Sequence, residues 1–164
     1  MLHPSAGFPY YIELTAGREI SELLSSREHT DLFSAISEEK SKYRYAEGKW
    51  SIKQILGHIT DHERIMVYRA LRFSRKDTTL LSSYDQDLLV DNARFDEVSF
   101  VELLLDYKCV RNATISFFKL LSDEQLKRKG MAWKFELTVE ESLRTVIGHE
   151  SHHIKVLKEK YGTE

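Results

Sequence analysis

Three of the seven histidines in this 164-residue chain lie within the segment Gly148 to Ile154. His149 and His153 are four residues apart, so in a helix they stand about 40° apart on neighbouring turns, where two imidazoles can bind one ion. The apolar residues around them repeat at helical spacing, which places His153 beside the apolar face and His149 at its edge. His152 is expected to face solvent. Because such pairs also occur as ordinary core or surface histidines, a metal site needs further ligands elsewhere.

A second pair with the same spacing, His58 and His62, lies in an apolar segment earlier in the chain. On a helical wheel His58 falls at the edge of the apolar face and His62 about 40° further in, so periodicity slightly favours His62 as the inward residue. Glu63 falls within the same apolar face. A carboxylate there needs a cation, an imidazole N–H or a metal to compensate for lost hydration.

Residues 149–153 read His-Glu-Ser-His-His and match the His-Glu-x-x-His signature of zinc peptidases. The longer metzincin form needs glycine and histidine where this chain has Val156 and Glu159, so a peptidase is a minor hypothesis. Glu150 stands about 100° from His149, on the inward side. It is a candidate to orient a ligand or to act as a base on bound water, with simple packing as the alternative.

Helices must position these side chains, and the sequence indicates where three of them begin. Capping boxes, in which serine or threonine is followed three residues later by glutamine or glutamate, predict helices over 51–74, 99–121 and 138–161. Residues 18–40 carry further apolar residues at helical spacing, interrupted around 25–30. We predict one short and one longer helix there.

Four amphipathic helical segments predict an all-α four-helix bundle that forms a single domain over residues 1–164. The connection between the second and third helices, residues 77–98, is too long for a tight turn. It is predicted to cross one end of the bundle, with a short helical piece around 86–92. Residues 127–137 form another long connection. Long connections at one end of a bundle can cover a binding site between the helices.

Composition excludes several classes of partner. A net charge of −2 and a pI near 6.4 argue against nucleic acid. No window approaches the ~20 apolar residues of a membrane-spanning helix, and residues 1–10 lack the features of a signal peptide, so we expect a cytoplasmic protein with no membrane partner. Cys109 is the only cysteine, which excludes an intrachain disulfide, and we interpret it as a packing residue.

The third predicted helix is apolar around much of its circumference. The apolar residues between 100 and 121 exceed the single stripe that one helix of a bundle buries. Surplus apolar surface commonly marks a partner surface, and a symmetric dimer is the commonest way to cover one. The sequence therefore predicts a homodimer through the outer face of this helix, with the long loops as the alternative cover.

The order and spacing of several segments resemble the DinB-like (YfiT-like) superfamily of four-helix-bundle metalloenzymes. The resemblance extends over nearly the whole chain. It rests on Tyr43 to Lys53, Gly57 to Arg64, Tyr68 to Leu71, Tyr84 to Asp87, Arg111 to Thr114 and Thr145 to His153. No single segment is specific for this family, but the combination of all the segments in this order is specific.

The resemblance implies a divalent metal ion, commonly nickel or zinc, bound by one histidine of the second helix and two of the fourth. The matching residues are His58, His149 and His153, and the twist of a bundle easily covers the 40° by which the wheel favours His62. Three imidazoles leave a coordination position open, as in catalytic sites. The implied activity is thiol S-transferase or hydrolase chemistry on a small molecule, with low-molecular-weight thiols among the candidates. A non-enzymatic, stress-associated metal-binding bundle is the alternative.

Overall fold

The computed structural model describes residues 2–163, which form nine α-helices and one β-hairpin. The helices are α1 (Phe8–Glu13), α2 (Ile20–Ser25), α3 (Glu28–Ser34), α4 (Glu38–Ser41), α5 (Ile52–Ser74), α6 (Gln86–Asp91), α7 (Phe100–Lys119), α8 (Asp123–Leu126) and α9 (Val139–Tyr161). The antiparallel strands are β1 (Lys129–Ala132) and β2 (Phe135–Thr138). A 3-10 turn at Pro4–Ala6 precedes α1. The predicted all-α four-helix bundle is confirmed.

The long helices α5, α7 and α9 begin where their capping boxes predict. In each, the hydroxyl of the N-cap residue accepts a hydrogen bond from the backbone N–H three residues on, and that residue's side chain accepts one from the N-cap N–H. Helix α9 ends at Gly162, whose φ of 61° is left-handed and suits glycine. None of the helices in the described part of the chain is long and apolar enough to cross a membrane.

The fourth position of the bundle is occupied by three short helices. Helix α2 contacts α7 and α9, α3 contacts α7, and α4 contacts α5 and α7. The backbone is extended at Ser26, and at Ser37 a side-chain hydrogen bond from the Lys40 N–H caps a new helix. The prediction of one short and one longer helix over 18–40 is therefore wrong in detail, because the chain stops and restarts twice.

Two groups of buried apolar side chains form the core, and both involve α5 and α9. One contains Phe33, Leu56 and Leu157 and joins the start of α5 to the end of α9. The other contains Phe73 and Leu143 and joins the opposite ends of the same two helices. The buried histidines and glutamates of both helices lie where these groups meet. The bundle thus carries a polar layer across its middle.

Helix α7 buries one face, which includes Leu103 and Tyr107. Its opposite face exposes Val101 and Leu105, which are 66% and 56% accessible. Cys109 lies on that exposed face, so its interpretation as a packing residue is wrong.

The two long connections carry structure of their own. Helix α6 is the short helical piece predicted around 86–92, whereas the hairpin replaces the loop expected over 127–137. Leu81 of the crossover bonds to the hairpin, because its N–H donates to Met131 O and its carbonyl accepts from the Trp133 N–H. At the hairpin turn Trp133 has a left-handed φ of 55°. Strands β1 and β2 contact α5 and α9, respectively.

Helix α1 packs along α9 at Gly148. A Cβ atom at this position would overlap the backbone carbonyl of Tyr11. The absence of a side chain at Gly148 therefore lets α1 approach α9 closely, directly beside His149.

Candidate metal centre

His58 of α5 meets His149 and His153 of α9 in the polar layer of the bundle. Nε2 of His149 lies 2.9 Å from Nε2 of His58 and 3.2 Å from Nε2 of His153. The three rings meet edge to face, with centroids 4.5 to 5.0 Å apart. The structure therefore brings together the three histidines that the family resemblance indicates.

The donor set fits a divalent metal ion. Zinc-bound imidazole nitrogens lie about 2.0–2.1 Å from the ion, which places two nitrogens of a tetrahedral shell about 3.3 Å apart. Hydrogen bonding alone cannot satisfy the cluster, because Nε2 of His149 faces two nitrogens and a neutral imidazole nitrogen either donates one proton or offers one lone pair. Within residues 2–163 the potential metal-binding group consists of these three histidines, so an ion held by them would keep further coordination positions for water or substrate.

Burial keeps these imidazoles neutral. It lowers the pKa of His58 to about 4. Burial, reinforced by the neighbouring imidazoles, holds the pKa values of His149 and His153 well below the ordinary value. Metal ligation requires the unprotonated ring, so the site is ready for a cation at neutral pH.

His62 is as deeply buried as His58 but lies outside the three-nitrogen group. Its ring stacks on His149 with centroids 3.8 Å apart, and its Nδ1 lies 2.6 Å from the hydroxyl of Tyr84. The helical wheel is right that His62 points inward. His152, expected to face solvent, is instead half-buried, with Nδ1 3.2 Å from the hydroxyl of Tyr10.

A buried ionic cluster connects α5, α7 and α9 beside the histidines. The Arg111 guanidinium donates to Glu63 at 3.0 Å and to Glu150 at 2.8 Å. Glu150 also accepts a hydrogen bond from the Tyr107 hydroxyl and lies 3.3 Å from Nδ1 of His29. Arg111 is thus the cation that the inward position of Glu63 requires.

Glu150 is ionised in this cluster. Burial raises the pKa of its carboxyl, but the charge of Arg111 and the hydrogen bonds from His29 and Tyr107 outweigh that effect and bring the pKa to about 2. Both carboxylate oxygens already have donors. The geometry therefore suits the orienting role considered for Glu150 better than the role of a free base.

Two cavities reach the histidines. A cleft of 720 Å³ is lined by His153, by Trp50 and by residues of α6, including Asp87. A smaller cavity of 290 Å³ is lined by His62 and His149. Trp50 also packs on the ring of His58, with centroids 4.8 Å apart.

Aromatic residues far apart in sequence line these cavities. Trp50, Trp133 and Tyr84 all contribute to cavity walls. Tyr11 of α1 lies edge-on to His149 at 5.2 Å and also lines the smaller cavity. No sequence pattern points to Tyr11, because its position depends on how α1 docks.

Comparisons with known proteins agree with this architecture. The family model of the DinB superfamily matches residues 25–157. Among solved structures the chain is similar to YfiT from Bacillus subtilis, described as a probable metal-dependent hydrolase with an unusual four-helix bundle topology. The TM-score is 0.72 at 17% identity, over 97% of this chain and 87% of YfiT, which establishes a shared fold. No curated protein matches the chain.

Proposed function

The chain belongs to the DinB superfamily, and on that premise we propose that it is a metal-dependent enzyme whose ion is bound by His58, His149 and His153. The observation that carries this proposal is the convergence of the Nε2 atoms of His58, His149 and His153 beside an open cleft. When bound, a divalent ion lowers the pKa of a coordinated water or thiol and so supplies a nucleophile near neutral pH. Zinc or nickel suits a donor set made only of imidazoles.

The proposed reaction is hydrolysis or thiol transfer on a small molecule. The cleft beside His153 carries both charges on its walls, Arg44 and Lys49 with Asp87 and Asp91, which suits a polar substrate such as a low-molecular-weight thiol. A non-enzymatic metal-binding bundle is the alternative. A structural site would be closed by a fourth protein ligand, whereas this one opens to a cleft.

The surrounding residues hold the ligands in position. Trp50 covers one side of His58 and limits access of water there. The cluster of Arg111 with Glu63 and Glu150 ties together the helices that supply the histidines. We propose that Glu150 is a positioning residue, acting through the orientation of α9 at His149.

Metal analysis of purified variants tests this proposal. His58→Ala, His149→Ala and His153→Ala should each lose most of the bound metal, whereas His62→Ala and His152→Ala should retain it. If His62→Ala empties the site while His58→Ala leaves it full, the ligand assignment is wrong. Chromogenic esters, and thiols with electrophiles, then test turnover by the metal-loaded protein. No turnover with either class would favour the non-enzymatic alternative.

A further inference from the structure

A buried guanidinium lines the smaller cavity without a carboxylate partner. Arg69 is only 3% accessible, and its Nη2 donates to the carbonyl of Ser82 at 2.7 Å while Nη1 lies 3.4 Å from the sulfur of Met66. No aspartate or glutamate pairs with it in the described part of the chain, whereas Arg111, which is also buried, pairs with two. A guanidinium with little access to water and no carboxylate partner interacts favourably with an anion that can reach it. Arg69 is therefore a candidate to bind an anion in this cavity.

The walls of this cavity favour a flat apolar group. Five aromatic side chains line it, namely Phe8, Tyr11, Tyr84, Trp133 and Phe135. The guanidinium carbon of Arg69 lies 5.7 Å and 5.8 Å from the ring centroids of Phe8 and Tyr84, which hold it at the wall. A volume of 290 Å³ is at the lower end for ligand pockets and suits a single ring with a short substituent.

One further feature indicates a built site. Nε2 of His62 is buried and has no hydrogen-bond partner within residues 2–163, although His62 lines the cavity. A buried polar atom without a partner in the protein is commonly satisfied by a ligand or by water.

We infer that this cavity binds a small monocyclic aromatic carboxylate as a substrate, with its carboxylate paired to Arg69 and its ring among the aromatic walls. His149 lines the same cavity and belongs to the three-histidine cluster, so the bound molecule lies beside the proposed metal. The role as a substrate rests on the proposed function. Binding itself needs only the cavity and Arg69.

Titration with benzoate tests the inference, with benzamide as the uncharged ligand of the same shape. Calorimetry on metal-loaded and on chelator-treated protein should show benzoate binding in both, and benzamide binding roughly tenfold or more weakly. Arg69→Gln should weaken benzoate by a similar factor, and Arg69→Lys by less. Arg64→Gln is the matched control. Arg64 lies on the same helix, is exposed and is paired with Asp61 and Asp106, so its loss should leave the affinity unchanged.

Equal binding of benzoate and benzamide by the unaltered protein would overturn the inference, and this comparison decides even if Arg69→Gln does not fold. Benzoate binding that survives Arg69→Gln but disappears on chelation would also overturn it, because the carboxylate would then be binding the ion. Metal analysis separates the two proposals. Protein that binds benzoate but no metal supports this cavity assignment and refutes the proposed metal-dependent activity.

Discussion

Replacing Arg111 by methionine would leave two buried carboxylates, Glu63 and Glu150, without their guanidinium partner. The pKa of Glu150 is about 2 in the folded protein against 4.5 ordinarily. At 1.36 kcal/mol per unit, this difference corresponds to roughly 3 kcal/mol of stability at pH 7. Removing one partner of a buried pair typically costs about 3–5 kcal/mol. We therefore expect the free energy of unfolding of Arg111→Met to fall by about that amount.

The stability lost in Arg111→Met should depend on pH. In the unaltered protein the depressed pKa of Glu150 contributes stability that is fully present above about pH 4.5 and is lost as pH falls towards 2. Without Arg111, burial acts with much less opposition and raises the pKa, so the variant gains protons on folding. The stability deficit of Arg111→Met should therefore narrow as the pH falls from 7 to 5. Urea denaturation across this range measures it.

Arg64→Met provides the matched control. Arg64 also pairs with two carboxylates, Asp61 and Asp106, but its side chain is 45% exposed. Exposed pairs contribute about 0–1 kcal/mol, so this variant should be nearly as stable as the parent at every pH. If Arg111→Met costs no more than Arg64→Met, or if its deficit is the same at pH 5 and pH 7, the electrostatic reasoning is refuted.

Three further predictions follow from other parts of the molecule. Metal-free protein should lose stability as the pH falls from about 6.5 towards 4, because burial lowers the pKa of His58 and the unfolded chain therefore takes up a proton first. Urea denaturation that shows a constant free energy of unfolding over this pH range would contradict the prediction. Gly148→Ala should cost about 1–3 kcal/mol and speed proteolysis of α1, whereas Ser151→Ala on the same helix should do neither. We propose that the protein forms a homodimer through the exposed face of α7 that carries Val101 and Leu105. Sedimentation should then give twice the 19.2 kDa chain mass, and Leu105→Glu should give the monomer mass. A monomer mass for the unsubstituted protein would refute the dimer.

The long helices and the spacing of the histidines could be predicted because they depend on local chemistry. Each capping box satisfies its own helix start, and residues four apart share a face in any helix. Helical periodicity alone cannot tell whether His58 or His62 is the metal ligand, since both side chains point inward and are 3% accessible. Which of them meets His149 through Nε2 depends on how α5 and α9 are rotated against each other, and only the family resemblance indicated His58.

Other features could not be predicted because they depend on contacts between distant segments. The pairing of Glu63 with Arg111 spans 48 residues, and the docking of α1 depends on space at Gly148. Arg69 is one of several cations in the second half of α5, and only the fold shows that it is buried without a carboxylate partner. The hairpin does leave a signal in its second strand, since Phe135 and Leu137 alternate with the polar residues Glu136 and Thr138.

The two cavities reach the three-histidine cluster through different residues, the larger through His153 and the smaller through His149. For the proposed thiol transfer, we therefore propose that the thiol and its electrophile occupy separate cavities at the same time. In kinetic terms that proposal corresponds to a sequential mechanism through a ternary complex rather than a ping-pong cycle. Double-reciprocal plots of initial rate at several fixed concentrations of the second reactant would then intersect instead of running parallel. Neither reactant would compete with the other for its binding site.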